Sequence, residues 1–138
     1  MIKAENLSKY YHDDSGDTWA VRELDLTIEK ARFVSIVGRS GSGKSTLLKM
    51  LGGLLSPDEG RVIIDDVDLY AMTEKEMANY RCNKIGYIFQ DYFLEEMYTV
   101  YQNIEIVLMI SKVPSNQRRE MIEQALESVD MQKRQSRM

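Results

Sequence analysis

Apolar and polar residues alternate along one stretch near the start of the chain. In residues 19–28, Leu24 and Leu26 are separated by polar neighbours, which is typical of a half-buried antiparallel strand. A second strand is predicted over residues 2–7, and a polar loop at residues 13–17 separates the two. The chain is therefore expected to open with antiparallel strands.

Three short apolar runs farther along the chain predict buried strands, at residues 33–37, 62–64 and 85–89. A helical pattern follows the first run at residues 47–51, and residues 73–81 also look helical. Strands alternating with helices behind antiparallel strands indicate an α/β domain.

The pattern becomes helical after residue 91. Residues 99–110 predict a helix, which residues 111–116 interrupt, and residues 132–138 carry no apolar pattern. A last helix is expected between them, with Ser115 or Asn116 as its N-cap. Its apolar face is predicted to consist of Met121, Ile122, Ala125, Leu126 and Val129.

Composition narrows the class of protein. The 138 residues, 43% apolar and 29% charged, suit one globular domain. A net charge of −4 argues against nucleic acid as a main partner, because binding to phosphate backbones needs a basic face.

The single cysteine, Cys82, favours a reducing compartment. No signal-peptide pattern is present, and the longest apolar run, residues 106–110, is far too short to cross a bilayer, so we expect a cytosolic protein.

One motif carries specific chemistry. Residues 38–45 satisfy the pattern G-x-x-x-x-G-K-[ST], between a predicted strand and a predicted helix. Glycines let such a loop wrap its N–H groups around phosphates, and the helix N-terminus adds donors and a positive dipole end. Lys44 is long enough to reach the β- and γ-phosphates, the Ser45 hydroxyl is suited to Mg²⁺, and Thr46 is suited to an inner phosphate. The loop predicts a nucleoside-triphosphate site.

The loop alone does not choose among GTPases, kinases and motor-type ATPases. The run at residues 83–86 begins like the guanine motif N-K-x-D, but Gly86 stands where aspartate is required. Small-molecule kinases usually open with the phosphate-loop strand, whereas here 37 residues precede the loop.

Further segments make the chain resemble the ATP-binding subunit of an ABC transporter, nearest to the branch that serves macrolide export and lipoprotein release. The resemblance extends from Met1 to about Asp130 and rests on residues 6–11, 21–28, 33–53, 60–69 and 84–90. It implies an α/β P-loop NTPase fold with an N-terminal antiparallel β-subdomain. It also implies that residues 1–138 are the N-terminal part of one ATP-binding domain, with the β-subdomain and phosphate-loop core in residues 1–90 and the start of a helical subdomain in residues 91–138.

The resemblance assigns roles to individual residues. It makes Tyr11 the aromatic platform for adenine, although Tyr10 is adjacent, and Gln90 a glutamine that ligates Mg²⁺. Lys44 and Gln90 become the catalytic pair, and Ser45 and Gln90 the metal ligands. ATP with Mg²⁺ is the implied cofactor, bound by Tyr11, Gln90 and the loop residues Gly38, Arg39, Ser40, Gly41, Ser42, Gly43, Lys44, Ser45 and Thr46.

The resemblance also implies partners. A transmembrane permease subunit is expected to dock on about residues 91–113, and a second ATP-binding subunit to form a head-to-tail dimer. The protein would then lie on the cytoplasmic face of the cell membrane. The apolar side chains suited to docking are Tyr92, Phe93, Leu94, Met97 and Tyr98.

Some positions depart from the family pattern. Ala31 replaces a glycine in the turn before the phosphate-loop strand, Arg39 stands in place of proline, and Asp65-Asp66 replaces an Asp-Gly hairpin. Residues 101–103 stand near an expected Glu-Asn pair. None of these changes removes a side chain to which the resemblance gives a role toward the phosphates or the metal, so nucleotide binding is expected to persist.

Four family motifs are absent from the 138 residues: the signature loop, the Walker B aspartate with its catalytic glutamate, and the switch histidine. His12, the single histidine, precedes the loop and is expected to lie on the surface. Hydrolysis, which depends on positioned charge, metal and water, is therefore expected of an intact domain and not of this chain. Residues 33–37 and 85–89 are also expected to lack strand partners.

Two other functions remain open from the sequence. The chain could be a half-domain that binds nucleotide or the permease without turnover. It could also be a self-contained kinase or ATPase, if residues 62–66 are a Walker B strand with Asp65 holding Mg²⁺. The resemblance opposes this last reading, because it matches residues 60–69 to an antiparallel hairpin.

Overall fold

A computed structural model describes residues 1–13, 16–91 and 93–137. The chain divides into two compact units, Met1–Tyr87 and Ile88–Met138. Within the described residues, no helix combines the length and the apolar character needed to span a bilayer.

The first unit is built on a four-stranded antiparallel sheet. Its strands are β1 (Ile2–Asp13), β2 (Gly16–Ile28), β3 (Glu59–Ile64) and β4 (Val67–Asp68), in the order β2-β1-β3-β4. The two opening strands are confirmed and are longer than expected, because pairing of β1 with β2 continues to Asp13 and Gly16 at the hairpin end. The predicted polar loop is correspondingly shorter, and residues 14 and 15 lie outside the described part.

A bulge bends β1 near Asn6. The register shifts there against both neighbouring strands, and Asn6 adopts a left-handed φ of 49°. Gly60 of β3 lies beneath the bulge with a φ of 80°, where a Cβ would stand only 2.3 Å from the carbonyl oxygen of Asn6. Only glycine fits this position.

The described part of the first unit also contains two α-helices, α1 (Lys44–Leu51) and α2 (Glu74–Lys84), and a 3₁₀ turn at Leu69–Ala71. A capping box starts α2: the Thr73 hydroxyl accepts from the Glu76 amide, and the Glu76 carboxylate accepts from the Thr73 amide. The buried core joins both helices to the sheet and consists of Ala4, Leu7, Val21, Met50, Leu51, Val62, Leu69 and Met77.

The strand at residues 62–64 belongs to an antiparallel hairpin. β3 pairs with β1 and with β4, and Asp65 and Asp66 form the turn between β3 and β4 with φ angles of 48° and 67°. Two positive φ values in a two-residue loop are those of a type I′ turn. The Asp65 carboxylate accepts from the Met1 amine at 2.6 Å and pairs with Lys30 at 3.0 Å. The alternative Walker B reading of Asp65 is therefore wrong, and the hairpin reading is confirmed.

The predicted strands at residues 33–37 and 85–89 do not form. Both stretches are irregular, and neither pairs with a strand among the described residues. The Phe33 side chain is 99% exposed and that of Ile88 is 97% exposed. A strand is stabilised by its neighbours, so apolar β-branched sequence alone does not produce one.

The second unit contains α3 (Val100–Ile110) and α4 (Ser115–Glu127). Both predicted helices are confirmed, but the N-cap of α4 is Pro114 and not Ser115 or Asn116. Pro114 has a φ of −57° and a ψ of 141°, outside the helical region, and it gives the helix no side-chain cap. Of the predicted apolar face of α4, Ile122 and Leu126 are buried, whereas Met121 and Val129 are exposed.

The end of the chain folds back on α3. After a 3₁₀ turn at Gln132–Arg134, the carbonyl of Gln135 accepts from the Tyr101 amide at 3.0 Å, and that of Arg137 accepts from the Val100 amide at 2.9 Å. Two free donors at the N-terminus of α3 are thereby satisfied.

Candidate functional site

The loop of residues 38–43 leads directly into α1. Gly41 and Gly43 adopt φ angles of 78° and 83°, a region that residues with a Cβ rarely occupy. The amide of Leu47 donates to the Gly43 carbonyl at 2.8 Å, so regular helix begins at once after the loop. The free N–H groups of the first helical turn therefore face the loop, which is an arrangement suited to an anion.

The loop packs closely against the hairpin of β1 and β2. A Cβ on Gly43 would lie 1.9 Å from the Ala20 carbonyl oxygen of β2. A Cβ on Gly38 would lie 2.7 Å from the Ser42 hydroxyl. The sequence pattern identified both glycines, but it did not reveal Ala20, because that contact is made by a backbone carbonyl and carries no side-chain signal.

Lys44 extends back over the loop. Its ammonium donates to the carbonyls of Arg39 at 2.6 Å and Gly38 at 2.9 Å, and it lies 3.4 Å from the Ser42 hydroxyl. None of the ion pairs in the described part of the chain involves Lys44. Its positive charge is thus held at the loop, beside a helix N-terminus, and no carboxylate of the described residues pairs with it.

The next two residues present hydroxyls from the first turn of α1. Ser45 is exposed, and in the described residues its hydroxyl has no hydrogen-bond partner. The Thr46 hydroxyl lies 3.5 Å from the Tyr11 hydroxyl of β1. The remaining loop residues, Arg39, Ser40 and Gly41, are exposed.

The structure distinguishes the two adjacent tyrosines. Tyr11 is 46% exposed, lies opposite Thr18 of β2 and approaches α1 through its hydroxyl. Tyr10 lies opposite Trp19 and packs edge-on against it, with ring centroids 5.4 Å apart. Because successive side chains of a strand point to opposite faces, only one of the two can face the loop, and it is Tyr11.

An aspartate fixes this part of β1. Asp58 accepts from the Lys9 ammonium and from the Tyr10 amide, each at 2.9 Å. These bonds, that to Lys9 first, hold the pKa of the Asp58 carboxyl below its ordinary value of 3.8. Asp58 therefore anchors the strand one residue before Tyr11.

The structure places the predicted site residues in two groups. Tyr11 and the loop residues 38–46 belong to the first unit, where the hairpin and α1 bring them together. Gln90 is exposed and belongs to the second unit, so its predicted role toward the loop stays a prediction.

Comparison with known proteins identifies the family. Residues 21–138 match the family model described as "ABC transporter". The methionine import ATP-binding protein MetN 2 of Rhodococcus jostii is 37% identical over 131 residues, which are 95% of this chain and 38% of that protein. The ABC transporter ATP-binding protein YtrE of Bacillus subtilis is 36% identical over 112 residues, covering 81% of this chain and 48% of that protein.

Solved structures give the same result. The ATP-binding cassette MJ0796, in a dimeric post-hydrolysis state bound to ADP and Pi, has a TM-score of 0.87 and 32% identity, covering 99% of this chain and 60% of that one. The chain thus spans less than half the length of these two relatives and about three-fifths of the solved cassette. The expected α/β fold is confirmed, whereas the macrolide-export and lipoprotein-release branch stays a prediction. The chain belongs to the ABC transporter family, as part of an ATP-binding domain.

Proposed function

We propose that the loop of residues 38–46 binds the phosphates of Mg-ATP and that Tyr11 supports the adenine. The observation that carries this proposal is the Lys44 ammonium, which lies over the loop without an ion-pair partner among the described residues. An unneutralised cation, left-handed glycines and free helix amides at one point favour a polyphosphate. In this proposal Lys44 holds the β- and γ-phosphates, and Thr46 donates to an inner phosphate.

The residues present fit a magnesium ion carried in with the nucleotide. Mg²⁺ at phosphate sites takes one or two protein ligands, the remainder being phosphate oxygens and water. The Ser45 hydroxyl, which is exposed and has no hydrogen-bond partner in the described residues, suits one such position, and the Gln90 amide oxygen is proposed as the second. When bound, the metal would neutralise phosphate charge.

Lys44 gives the direct test. Saturating Mg-ATP should raise the melting temperature of the chain, because a ligand bound only to the folded state adds about 2.7 kcal/mol at 100 times its Kd. Lys44→Ala should abolish the shift. Lys49→Ala is the matched control, since Lys49 is an exposed lysine in the last turn of the same helix. An undiminished shift in Lys44→Ala would contradict the proposal.

We further infer that ATP hydrolysis belongs to the intact subunit and that this chain binds without turnover. The absence of the signature, Walker B and switch motifs from the 138 residues supports this, as does the irregular backbone at residues 33–37 and 85–89. Phosphate release by the chain at a rate above that of Lys44→Ala would contradict this inference.

Docking of a permease is proposed on residues 91–113 of the second unit. Phe93, Leu94 and Met97 are 77%, 65% and 82% exposed there, which is unusual for apolar side chains so close together. A cavity of about 360 Å³ adjoins them, lined mainly by apolar atoms of Leu94, Tyr98, Val100, Ile104 and Met131. Tyr92 lies outside the described residues. Leu94→Asp should remove cosedimentation with membranes that contain the permease, while Val129→Asp, at an exposed site outside the segment, should not.

The remaining assignments follow from the family. We propose a head-to-tail dimer with a second ATP-binding subunit, and a position at the cytoplasmic face of the membrane. MJ0796 was solved as a dimer, and MetN 2 is named for methionine import, which supports transport as the process served. Crosslinking that depends on Mg-ATP would test the dimer, and an unchanged monomer would count against it.

A further inference from the structure

The contact between Tyr11 and Thr46 links two parts of the proposed site. Tyr11 stands on β1, in the hairpin, and Thr46 stands in the first turn of α1. Their hydroxyl oxygens are 3.5 Å apart, at the outer limit of a hydrogen bond. Hydrogen bonds at ligand-binding sites are often long before the ligand arrives and shorten in the complex.

The Thr46 hydroxyl has a choice of orientations. A helical threonine divides between two rotamers, because its hydroxyl can also bond back to a carbonyl in the preceding turn. In the described part of the chain, the Tyr11 hydroxyl is the hydrogen-bond partner of Thr46. Tyr11 therefore favours the rotamer that turns the Thr46 hydroxyl toward the hairpin side of the loop.

The direction of the bond follows from the chemistry of a phosphate. Phosphate oxygens only accept, so the Thr46 hydroxyl must donate its single hydrogen to them. Its lone pairs then remain free to accept from the Tyr11 hydroxyl. A chain of two hydrogen bonds polarises in one direction, which strengthens both.

We propose that the Tyr11 hydroxyl is a positioning group for phosphate, holding Thr46 in the orientation that donates to an inner phosphate. This proposal rests on the proposed function of the loop. Tyr11 then has two roles: its ring supports the base, and its hydroxyl acts on the phosphates through Thr46. Phenylalanine or tryptophan at this position would provide only the first.

A ligand without a base separates the two roles. Binding of Mg²⁺-tripolyphosphate to the full 138-residue chain can be measured by calorimetry. Tyr11→Phe should weaken it by about two- to tenfold, which is the range expected for one hydrogen bond. Tyr10→Phe is the matched control and should leave it unchanged, because Tyr10 packs on Trp19 instead. Unchanged binding in Tyr11→Phe would overturn the proposal.

A double-mutant cycle tests the route through Thr46. Thr46→Val should weaken tripolyphosphate binding, and adding Tyr11→Phe to it should cause no further loss. An equal loss in both backgrounds would overturn the proposal, because Tyr11 would then act without Thr46. If the unsubstituted chain bound neither tripolyphosphate nor ATP, the proposed function itself would be overturned. That result differs from equal binding by the unsubstituted chain and Tyr11→Phe, which removes the positioning role alone.

Discussion

The antiparallel sheet of the first unit forms regular, paired strands. The segment of residues 33–37 is built from the same kinds of residue, yet its backbone is irregular. Each strand of the sheet has a partner, and Leu7 and Val62 within it are fully buried. Residues 33–37 have no paired strand among the described residues, and Phe33 is 99% exposed. An apolar segment of this chain thus forms a β-strand only where a second strand is available to pair with it.

The largest expected effect tests this comparison directly. Leu7→Ala should lower the free energy of unfolding by about 2–5 kcal/mol, because it leaves a cavity in the core. Phe33→Ala removes a larger side chain, but it should change the free energy of unfolding by less than about 0.5 kcal/mol. Urea unfolding of both variants measures the difference. Similar losses would show that Phe33 is packed in solution and that the contrast is wrong.

A smaller effect is expected at the boundary between the two regions. Ala31 follows β2 and precedes residues 33–37, and it has a φ of 56°. This conformation costs a residue with a Cβ about 1–2 kcal/mol, so Ala31→Gly should raise the free energy of unfolding by about 1 kcal/mol.

The same substitution in a helix provides the control for Ala31. Ala78→Gly, at an exposed position within α2, should lower the free energy of unfolding by about 0.5–1 kcal/mol. Thermal unfolding should therefore show opposite signs for the two variants. Destabilisation by both would mean that the turn at Ala31 is not left-handed.

The smallest expected effect concerns the Asp58 carboxylate, which is bonded to Lys9 and Tyr10 of β1 in the antiparallel sheet. Asp58→Asn should lower the free energy of unfolding by about 1 kcal/mol at pH 7. The Asp58 pKa is lower in the folded chain than its ordinary 3.8, so its stabilisation is complete above pH 3.8 and is lost as the pH falls through the folded pKa. The difference between Asp58→Asn and the unsubstituted chain should therefore shrink below about pH 4.

An exposed aspartate shows whether the effect is specific to Asp58. Asp91→Asn should leave the free energy of unfolding unchanged from pH 7 to pH 3, because Asp91 is exposed and has no ion pair among those found in the described residues. A gap that stayed constant for Asp58→Asn across this range would contradict the role of its charge.

The features that the sequence predicted are those with local causes. The helices predicted at residues 73–81 and 99–110 do form, and each begins with a capping box, at Thr73 and at Thr99, whose residues are only three apart. The hairpin at residues 60–69 was implied by the resemblance, and its turn at Asp65-Asp66 also involves adjacent residues. Residues 33–37 and 85–89 were expected to be strands because their composition is right, and only the resemblance indicated that their strand partners are missing. Pairing depends on segments distant in sequence, which periodicity does not report.

The same division applies to the candidate site. The loop and its lysine were identifiable because their spacing reflects the loop's own geometry. The close approach of Gly43 to the Ala20 carbonyl was not identifiable from the sequence, because it depends on how β2 packs against the loop. The residues alone did not show which of Tyr10 and Tyr11 faces the loop. That choice requires the register of β1 against β2, which is difficult to count from the sequence because bulges interrupt β1.

Hydrogen exchange at the start of α3 would report whether the last described residues are attached to that helix. The amides of Val100 and Tyr101 are bonded to carbonyls of Arg137 and Gln135, so these two hydrogens are protected from solvent by the tail and not by the helix. Their exchange with deuterium would follow the opening of the tail, while the amides deeper in α3 would follow the unfolding of the helix. The amides at the start of α3 and those deeper in the same helix would thus report two different opening motions.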